Sequence, residues 1–338
     1  MLVEVSASMT TMSLHPALIL LGGLLVIIGG AEVLLKGATR IASMLGIKPI
    51  LIGLTVVAVG TSAPELAVGI IAAREGKGDL AVGNIAGTNI MNILFILGLS
   101  AAIRPLPLQL QSIQFDVPVM IGVALGLIAM ASDGVLSRAE GGILLVGAVV
   151  YTAVLIRISR RESAAVKKEF AEEYGPAKLE ARAWLRGAGW AVGLLVVGIG
   201  LTVLGADLMV DGAVQLAQSI GIADAVIGLT IVAIGTSAPE LATTIVATVR
   251  NDRDVAVGNL IGSSISNILL VLGLTCLVAP GGLAVSAEVL RIDLPLAAAV
   301  AIVCWPVFRS GQTVSRFEGV AFVIAYLVYL ASLLVLRT

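Results

Sequence analysis

Two acidic residues stand in stretches of sequence that are otherwise apolar, and each belongs to a copy of the same motif. Residues 53–66 read GLTVVAVGTSAPEL and residues 228–241 read GLTIVAIGTSAPEL, so Glu65 and Glu240 occupy equivalent positions. A carboxylate at membrane depth is costly, and such residues mark functional sites by default. We therefore expect the two acids to act together.

A proline precedes each acid, Pro64 in the first copy and Pro239 in the second. Proline lacks an amide hydrogen, so these positions predict a break in the helix that frees backbone carbonyls. Thr61 and Glu65 are four residues apart and share one helix face. The second copy repeats that spacing with Thr236 and Glu240. If the copies face each other, they form an all-oxygen cage, which suits a hard cation such as Ca²⁺ better than Zn²⁺ or Cu.

A second polar motif follows each acidic motif by about twenty residues. It places three polar residues four apart on an apolar helix: Asn84, Thr88 and Asn92 in the first copy, and Asn259, Ser263 and Asn267 in the second. Neutral amides and hydroxyls can coordinate Na⁺ without adding charge. For Asn84 and Asn259, hydrogen bonding between helices is as reasonable an interpretation as ion contact.

Charge balance indicates the sign of the substrate. The four central apolar segments carry Glu65 and Glu240 and no Lys or Arg at depth. Two carboxylates in a low-dielectric site repel each other, and a dication, several monovalent cations or protons can neutralise them. If Ca²⁺ and Na⁺ neutralise the site in turn, and the empty site does not switch from one side of the membrane to the other, the protein is an exchanger.

The whole composition fits a protein that places these residues inside a membrane. Of the 338 residues, 58% are hydrophobic and 13% are charged, 38 are glycines, and the mean hydropathy is +1.07. Such values are typical of polytopic helical membrane proteins, in which small residues let helices pack closely. At roughly 17–25 residues per crossing, we predict an all-α integral membrane protein of about ten transmembrane helices. A net charge of −1 argues against nucleic-acid binding.

An internal repeat organises these helices. Residues 22–98 align with residues 197–273 without a gap, at a constant offset of 175. Each half holds five predicted spans, an odd number, so the second copy enters the membrane in inverted topology, as in secondary transporters. The predicted division is a first repeat at 1–157 (helices 1–5), a charged cytoplasmic linker at 158–186 and a second repeat at 187–338 (helices 6–10).

The distribution of Lys and Arg predicts the orientation. With both termini outside, the segments on the outer face keep only Arg74, Lys77, Arg138, Arg291 and Arg337. The other basic residues then lie inside, as the positive-inside rule requires. We expect a multi-pass protein of the cell (inner) membrane with the linker 158–186 in the cytoplasm and both termini on the periplasmic side.

The duplicated GTSAPEL and GN-x-x-G-[TS]-x-x-x-N-I-L motifs resemble the two alpha repeats of the sodium/calcium exchanger family, within the cation/calcium antiporter superfamily. The resemblance is to prokaryotic members without a regulatory domain. It implies that Ca²⁺ is bound by Glu65 and Glu240 with the backbone carbonyls of Thr61 and Thr236. It implies Na⁺ sites, which share Glu65 and Glu240, lined by Ser62, Ser237, Thr88, Ser263 and the carbonyls of Ala58 and Ala233. Asn92 and Asn267 would line the central cavity, and the first and sixth helices would slide across a fixed core.

One position departs from many members of that family, which carry Asp where this chain has Asn267. Potassium-dependent members are thought to use that Asp, so the resemblance does not imply K⁺ dependence here.

The leading hypothesis is therefore Na⁺/Ca²⁺ antiport by alternating access. The alternatives are antiport of Ca²⁺ or another divalent cation against H⁺ at the same site and, less favoured, a cation channel. An enzyme is not expected, because no His or Cys lies in the central segments and no base accompanies Ser62 or Ser237. Apart from inorganic cations and membrane lipid, no cofactor or obligatory protein partner is expected.

Overall fold

The structure, a computed structural model, describes residues 15–45, 47, 49–174, 181–219 and 233–336. Within these ranges, eight helices are long and apolar enough to cross a membrane. A ninth span consists of two helices, Ile50–Thr61 and Ala63–Arg74, bent by 43°. The second acidic motif, residues 228–241, begins outside the described residues. The prediction of an all-α membrane protein is confirmed.

The described part of the first half contains eight helices and two short strands. The helices are α1 (Pro16–Leu45), α2 (Pro49–Ile52), α3 (Ala58–Thr61), α4 (Ala63–Arg74), α5 (Gly78–Ile90), α6 (Gly98–Ile103), α7 (Val117–Met130) and α8 (Arg138–Tyr174). Segments of π-helix lie at Gly53–Val57, Met91–Leu97 and Ser112–Asp116, and a 3₁₀ turn at Ala131–Asp133. The strands are β1 (Leu106–Pro107) and β2 (Val135–Leu136).

The described part of the second half repeats this order. Its helices are α9 (Ala181–Ser219), α10 (Ala233–Thr236), α11 (Ala238–Val249), α12 (Arg253–Ser266), α13 (Gly273–Val278), α14 (Leu294–Arg309) and α15 (Arg316–Leu336). Its π-helical segments are Asn267–Leu272 and Val289–Asp293, and its strands are β3 (Leu283–Ala284) and β4 (Thr313–Val314). The charged stretch 158–186 is helical as far as Tyr174 and again from Ala181.

The last elements of each half pack against the other half, and these contacts come in equivalent pairs. Strand β1 pairs with β4 and β2 pairs with β3, both antiparallel, so each small sheet joins the halves. Helix α15 packs on α6, and α8 packs on α13. At these crossings Gly98 lies against Gly319, and Gly141 lies against Gly273. Each contact thus has a counterpart in which the halves swap roles, which is the pattern of an inverted repeat.

Helices α1 and α9 form a separate antiparallel pair along a line of glycines. We call this line the glycine seam; it consists of Gly23, Gly30 and Gly37 on α1 and Gly198, Gly205 and Gly212 on α9. A Cβ on Gly30 would come within 2.6 Å of the amide nitrogen of Thr202, and one on Gly37 within 2.5 Å of that of Leu195. Backbone therefore touches backbone along the seam, a closeness that only glycine permits.

The polar stripes lie on the two most deeply buried of the eight candidate spans. In Gly78–Ile103 and Arg253–Val278, 78% and 72% of the most apolar window is buried, against 39% or less in the other six candidate spans. The amides and hydroxyls of these two helices are therefore held in the middle of the protein, where they can meet each other and the acids.

Candidate functional site

A break in the helix positions the first acid. Helix α3 ends at Thr61, Ser62 leaves the helical conformation (φ −80°, ψ 12°), and α4 begins at Ala63 with Pro64 in its first turn. Glu65 lies in that first turn and is fully buried. The amino-terminal end of a helix carries partial positive charge, so it stabilises a carboxylate placed there.

The second acid is positioned in the same way. Helix α10 ends at Thr236, Ser237 takes φ −89° and ψ 7°, and α11 begins with Pro239 in its first turn. Glu240 lies in that turn and is fully buried. Each half thus presents a carboxylate from a half-helix that starts inside the protein.

The two halves meet through these turns, because each acid faces the Thr-Ser pair of the other copy. The Ser62 hydroxyl donates to Oε1 of Glu240 at 3.3 Å. The carboxylate of Glu65 in turn faces Thr236 and Ser237. The structure therefore brings together side chains that are 171 to 178 residues apart in the chain.

The groups around the two carboxylates do not balance their negative charge. Glu65 and Glu240 are close enough to repel each other electrostatically. Among the described residues, both oxygens of Glu65 and Oε2 of Glu240 are buried without a hydrogen bond of ordinary geometry. Buried charge is stable only when it is paired or coordinates a cation, so the arrangement can hold positive ions.

Neutral oxygens flank the acids on one side around the carbonyl of Ala58. The hydroxyl of Thr61 donates to this carbonyl at 3.3 Å, and the hydroxyl of Ser263 donates to it at 3.4 Å. All three residues are completely buried. The cluster joins α3 of the first half to α12 of the second.

A second group of neutral oxygens is formed by Ser237 and Thr88, whose hydroxyls are 3.5 Å apart. Both are buried, and they join α11's entry turn to α5. Ala233, predicted to offer a carbonyl on this side, is the first residue of α10, and its side chain lies outside the described residues.

Asn259 and Asn84 have the same place in the two copies but different surroundings. Asn259 is fully buried, accepts a hydrogen bond from Thr61 at 3.3 Å and donates to the hydroxyl of Thr244 at 3.3 Å. Asn84 is half-buried, and its Nδ2 has no partner among the described residues. Asn259 thus supports the site by holding Thr61, and Thr244 is a supporting residue that sequence reasoning missed.

The central amides, Asn92 and Asn267, are both fully buried. Each lies at the start of a π-helical segment, Met91–Leu97 or Asn267–Leu272, a feature often found at functional sites. Asn267 donates to Oδ1 of Asn89 at 3.1 Å. The four-residue spacing of the polar stripe did not identify Asn89, because Asn89 lies beside that stripe. The only feature of the sequence that pointed to it was its position next to Thr88.

Helix α9 passes over the entry turns of both halves. A Cβ added to Gly60 would meet the side chain of Ile199, and one added to Gly235 would meet that of Val210, both on α9. Helix α9, which the glycine seam joins to α1, therefore covers the turns that lead to both acids.

The chain was compared with protein families and with known proteins. Residues 15–157 and 190–335 match the family described as sodium/calcium exchanger protein. The chain is 37% identical over 323 residues to inner membrane protein YrbG of Escherichia coli (strain K12), covering 93% of this chain and 95% of that one. It is 32% identical over 343 residues to the sodium/calcium exchanger MaX1 of Methanosarcina acetivorans, covering 94% and 97%.

A solved structure of the sodium-calcium exchanger NCX_Mj, soaked with 2.5 mM Na⁺ and 0.1 mM Ca²⁺, aligns with a TM-score of 0.79 at 28% sequence identity. The alignment covers 94% of this chain and 98% of that one, so it includes both halves.

Proposed function

The chain belongs to the sodium/calcium exchanger family, and from this we propose that it exchanges Na⁺ for Ca²⁺ at one site between Glu65 and Glu240. Membership places it among multi-pass membrane transporters and supports cation/Ca²⁺ antiport. The observation that carries the finer proposal is the set of three buried carboxylate oxygens that have no hydrogen bond of ordinary geometry among the described residues.

Ca²⁺ is held by Glu65 and Glu240 together with the backbone carbonyls of Thr61 and Thr236. A dication neutralises both carboxylates at once, and carboxylate and carbonyl oxygens are the ligands that Ca²⁺ prefers. The breaks before Pro64 and Pro239 support this arrangement, because they leave carbonyls near each acid without the usual helical partner.

Na⁺ ions use the same acids with the neutral oxygens beside them. The residues proposed for these sites are Ser62, Ser237, Thr88, Ser263 and the carbonyls of Ala58 and Ala233, with Glu65 and Glu240 shared between both ions. The hydroxyls of Thr61 and Ser263 already converge on the Ala58 carbonyl. Asn92 and Asn267 line the centre of the cavity.

Exchange follows from the charge of the site. When the site is empty, two buried carboxylates repel each other, so the free energy of the empty, closed protein is high. Loading with Ca²⁺ or with Na⁺ removes that repulsion, so the α1–α9 pair crosses the core only with ions bound. Ions therefore move in opposite directions without a net leak.

The protein is proposed to lie in the cell (inner) membrane with its termini outside and the linker 158–186 in the cytoplasm. The division into repeats at 1–157 and 187–338 is part of the same proposal. Its support is the one-sided distribution of Lys and Arg and the reciprocal packing of the halves.

A second candidate is exchange of Ca²⁺ against H⁺, since protons also neutralise the partnerless oxygens of Glu65 and Glu240. The hydroxyl groups around Ala58 favour Na⁺, because a proton needs only one acceptor and no surrounding shell.

The test is uptake of ⁴⁵Ca²⁺ into proteoliposomes containing the purified protein, driven either by an outward Na⁺ gradient or by an outward proton gradient. We expect uptake with the Na⁺ gradient alone, and abolition of that uptake by dissipating the gradient with a Na⁺ ionophore. Uptake that follows the pH gradient and ignores Na⁺ would select the H⁺-coupled alternative. Liposomes without protein serve as the control.

A further inference from the structure

We propose that Asn89 is a positioning residue that turns the amide oxygen of Asn267, and not its NH₂ group, toward the ion cavity. The inference rests on the proposed function, since it takes Asn267 to line that cavity. It assigns a role to a residue at a variable position of the second motif, which is Ser264 in the other copy, and it explains how a neutral amide offers an oxygen to a cation.

The orientation follows from a chain of hydrogen bonds that ends on a backbone carbonyl, a group that can only accept. The Nδ2 of Asn89 donates to the backbone carbonyl of Ser264 at 3.0 Å. A carbonyl can only accept, so the NH₂ of Asn89 must be at that end and its oxygen at the other. This oxygen accepts from Nδ2 of Asn267 at 3.1 Å. The amide of Asn267 is therefore fixed, although the two ends of an isolated amide are hard to tell apart.

The atom left over is the oxygen of Asn267. It is buried and has no hydrogen-bond partner among the described residues. Asn267 follows Ser263 by four residues, and the Ser263 hydroxyl touches the Ala58 carbonyl beside the acids. The free oxygen is thus presented by the same side of the helix as a proposed Na⁺ ligand.

The equivalent amide of the first half is not oriented in this way. Asn92 is the equivalent of Asn267, and Ser264 is the equivalent of Asn89. The hydroxyl of Ser264 donates to the carbonyl of Leu260 in its own helix at 2.9 Å. Within the described part of the chain, neither amide atom of Asn92 has a partner. One central amide is therefore oriented in advance, and the other can turn.

An amide that is fixed with its oxygen inward binds a cation without first rotating, whereas a free amide also presents its NH₂ group, which repels the ion. Outer groups that orient a metal ligand typically change metal affinity by roughly 10–100-fold. We expect Asn89 to act on ion affinity by this route and not by contact with the ion.

The variant Asn89→Ser tests the proposal with little risk to folding, because serine is the residue that the second copy carries at this place. We expect the ion concentrations for half-maximal exchange, measured for Na⁺ and for Ca²⁺, to rise by roughly 10–100-fold for the ion that Asn267 contacts. The maximal rate should change little. Ser264→Ala, which keeps the accepting carbonyl and removes only a hydroxyl bonded within its own helix, is the matched control and should behave as wild type.

Asn267→Asp supplies the readout that a merely structural role would not give. A carboxylate has oxygen at both ends and needs no orientation. Asn89→Ser should therefore have no further effect on affinity in an Asn267→Asp background. Equal losses in both backgrounds, or wild-type affinity in the single variant, would overturn the role of Asn89.

These outcomes differ from failure of the proposed function. Wild-type protein that binds neither Ca²⁺ nor Na⁺ would overturn that function, and this inference with it. Wild-type exchange that is unaffected by Asn89→Ser would leave the function standing and remove only the positioning role.

Discussion

The two halves of the molecule are nearly identical where they hold the acids and different where other helices cover them. Helix α1 packs along α11, next to Glu240. Over the described residues, α9 makes no comparable contact with α4, the equivalent helix next to Glu65. Of the two half-helices that carry the acids, the α1–α9 pair thus packs along α11 and not along α4 in the described part of the chain.

An ion pair accompanies this asymmetry. Arg250, at the end of α11, is 2.6 Å from the carboxylate of Glu32 on α1. The equivalent positions, at an offset of 175 residues, are Glu75 and Asp207. Two acids cannot form the same bond, so the corresponding arrangement on the first half lacks it. The duplicated acidic motifs therefore coexist with a covering helix pair that is held by an ion pair on the second half and lacks the equivalent ion pair on the first.

The strongest test of the equivalence between the halves is to remove one acid at a time. Glu65→Gln and Glu240→Gln each leave a single buried carboxylate, which cannot balance both Ca²⁺ and the Na⁺ ions that replace it. We expect each variant to abolish ⁴⁵Ca²⁺ uptake in proteoliposomes while eluting from size exclusion as wild type. Wild-type uptake by either variant would contradict the assignment of the site to both halves.

The glycine seam offers a second test, at the level of stability. Gly30→Ala places a methyl group against the backbone of α9, whereas Gly29→Ala points into open space. We expect Gly30→Ala to lower the free energy of unfolding by about 1–3 kcal/mol, as overpacking does. Gly205→Ala, its equivalent, should cost a similar amount, and Gly29→Ala should cost nothing. Thermal unfolding in detergent measures all three, and equal melting of the Gly30 and Gly29 variants would refute the close seam.

A smaller effect is expected from the ion pair that distinguishes the halves. Glu32 and Arg250 are each 39% exposed, so solvent screens their attraction and the bond contributes little to stability. Arg250→Ala should loosen α1 from α11, seen as faster hydrogen exchange in α11 and unchanged exchange in α4. Exchanging the charges (Glu32→Arg with Arg250→Glu) should restore protection. If Arg250→Ala leaves hydrogen exchange in α11 unaltered, the ion pair does not help to hold α1 against α11.

The smallest effect concerns K⁺. Asn92 and Asn267 give both halves a neutral amide at the centre, so we expect addition of K⁺ to leave the rate of Na⁺-driven Ca²⁺ uptake unchanged. Choline at equal ionic strength is the control. Clear stimulation by K⁺ over choline would show that an amide at position 267 suffices for K⁺ coupling.

Much of the site was accessible from the sequence because its residues obey local rules. Glu65 with Pro64 in an apolar run, and the spacing of Thr88 and Asn92, are local patterns with a direct chemical meaning. The second copy at a fixed offset then implied that the halves meet. The glycine seam was also encoded, as glycines seven residues apart, but its meaning depends on a partner helix far away in the chain.

The sequence by itself determined the membrane class, the inverted repeat and the chemical type of the site, because hydropathy, duplication and buried charge are properties of short segments. Only the tertiary structure decided that Ser62 donates to Glu240, that Asn267 donates to Asn89, and that α1 packs along α11. These contacts join residues of different halves. Two copies with almost the same local sequence cannot differ until long-range packing gives each its own neighbours.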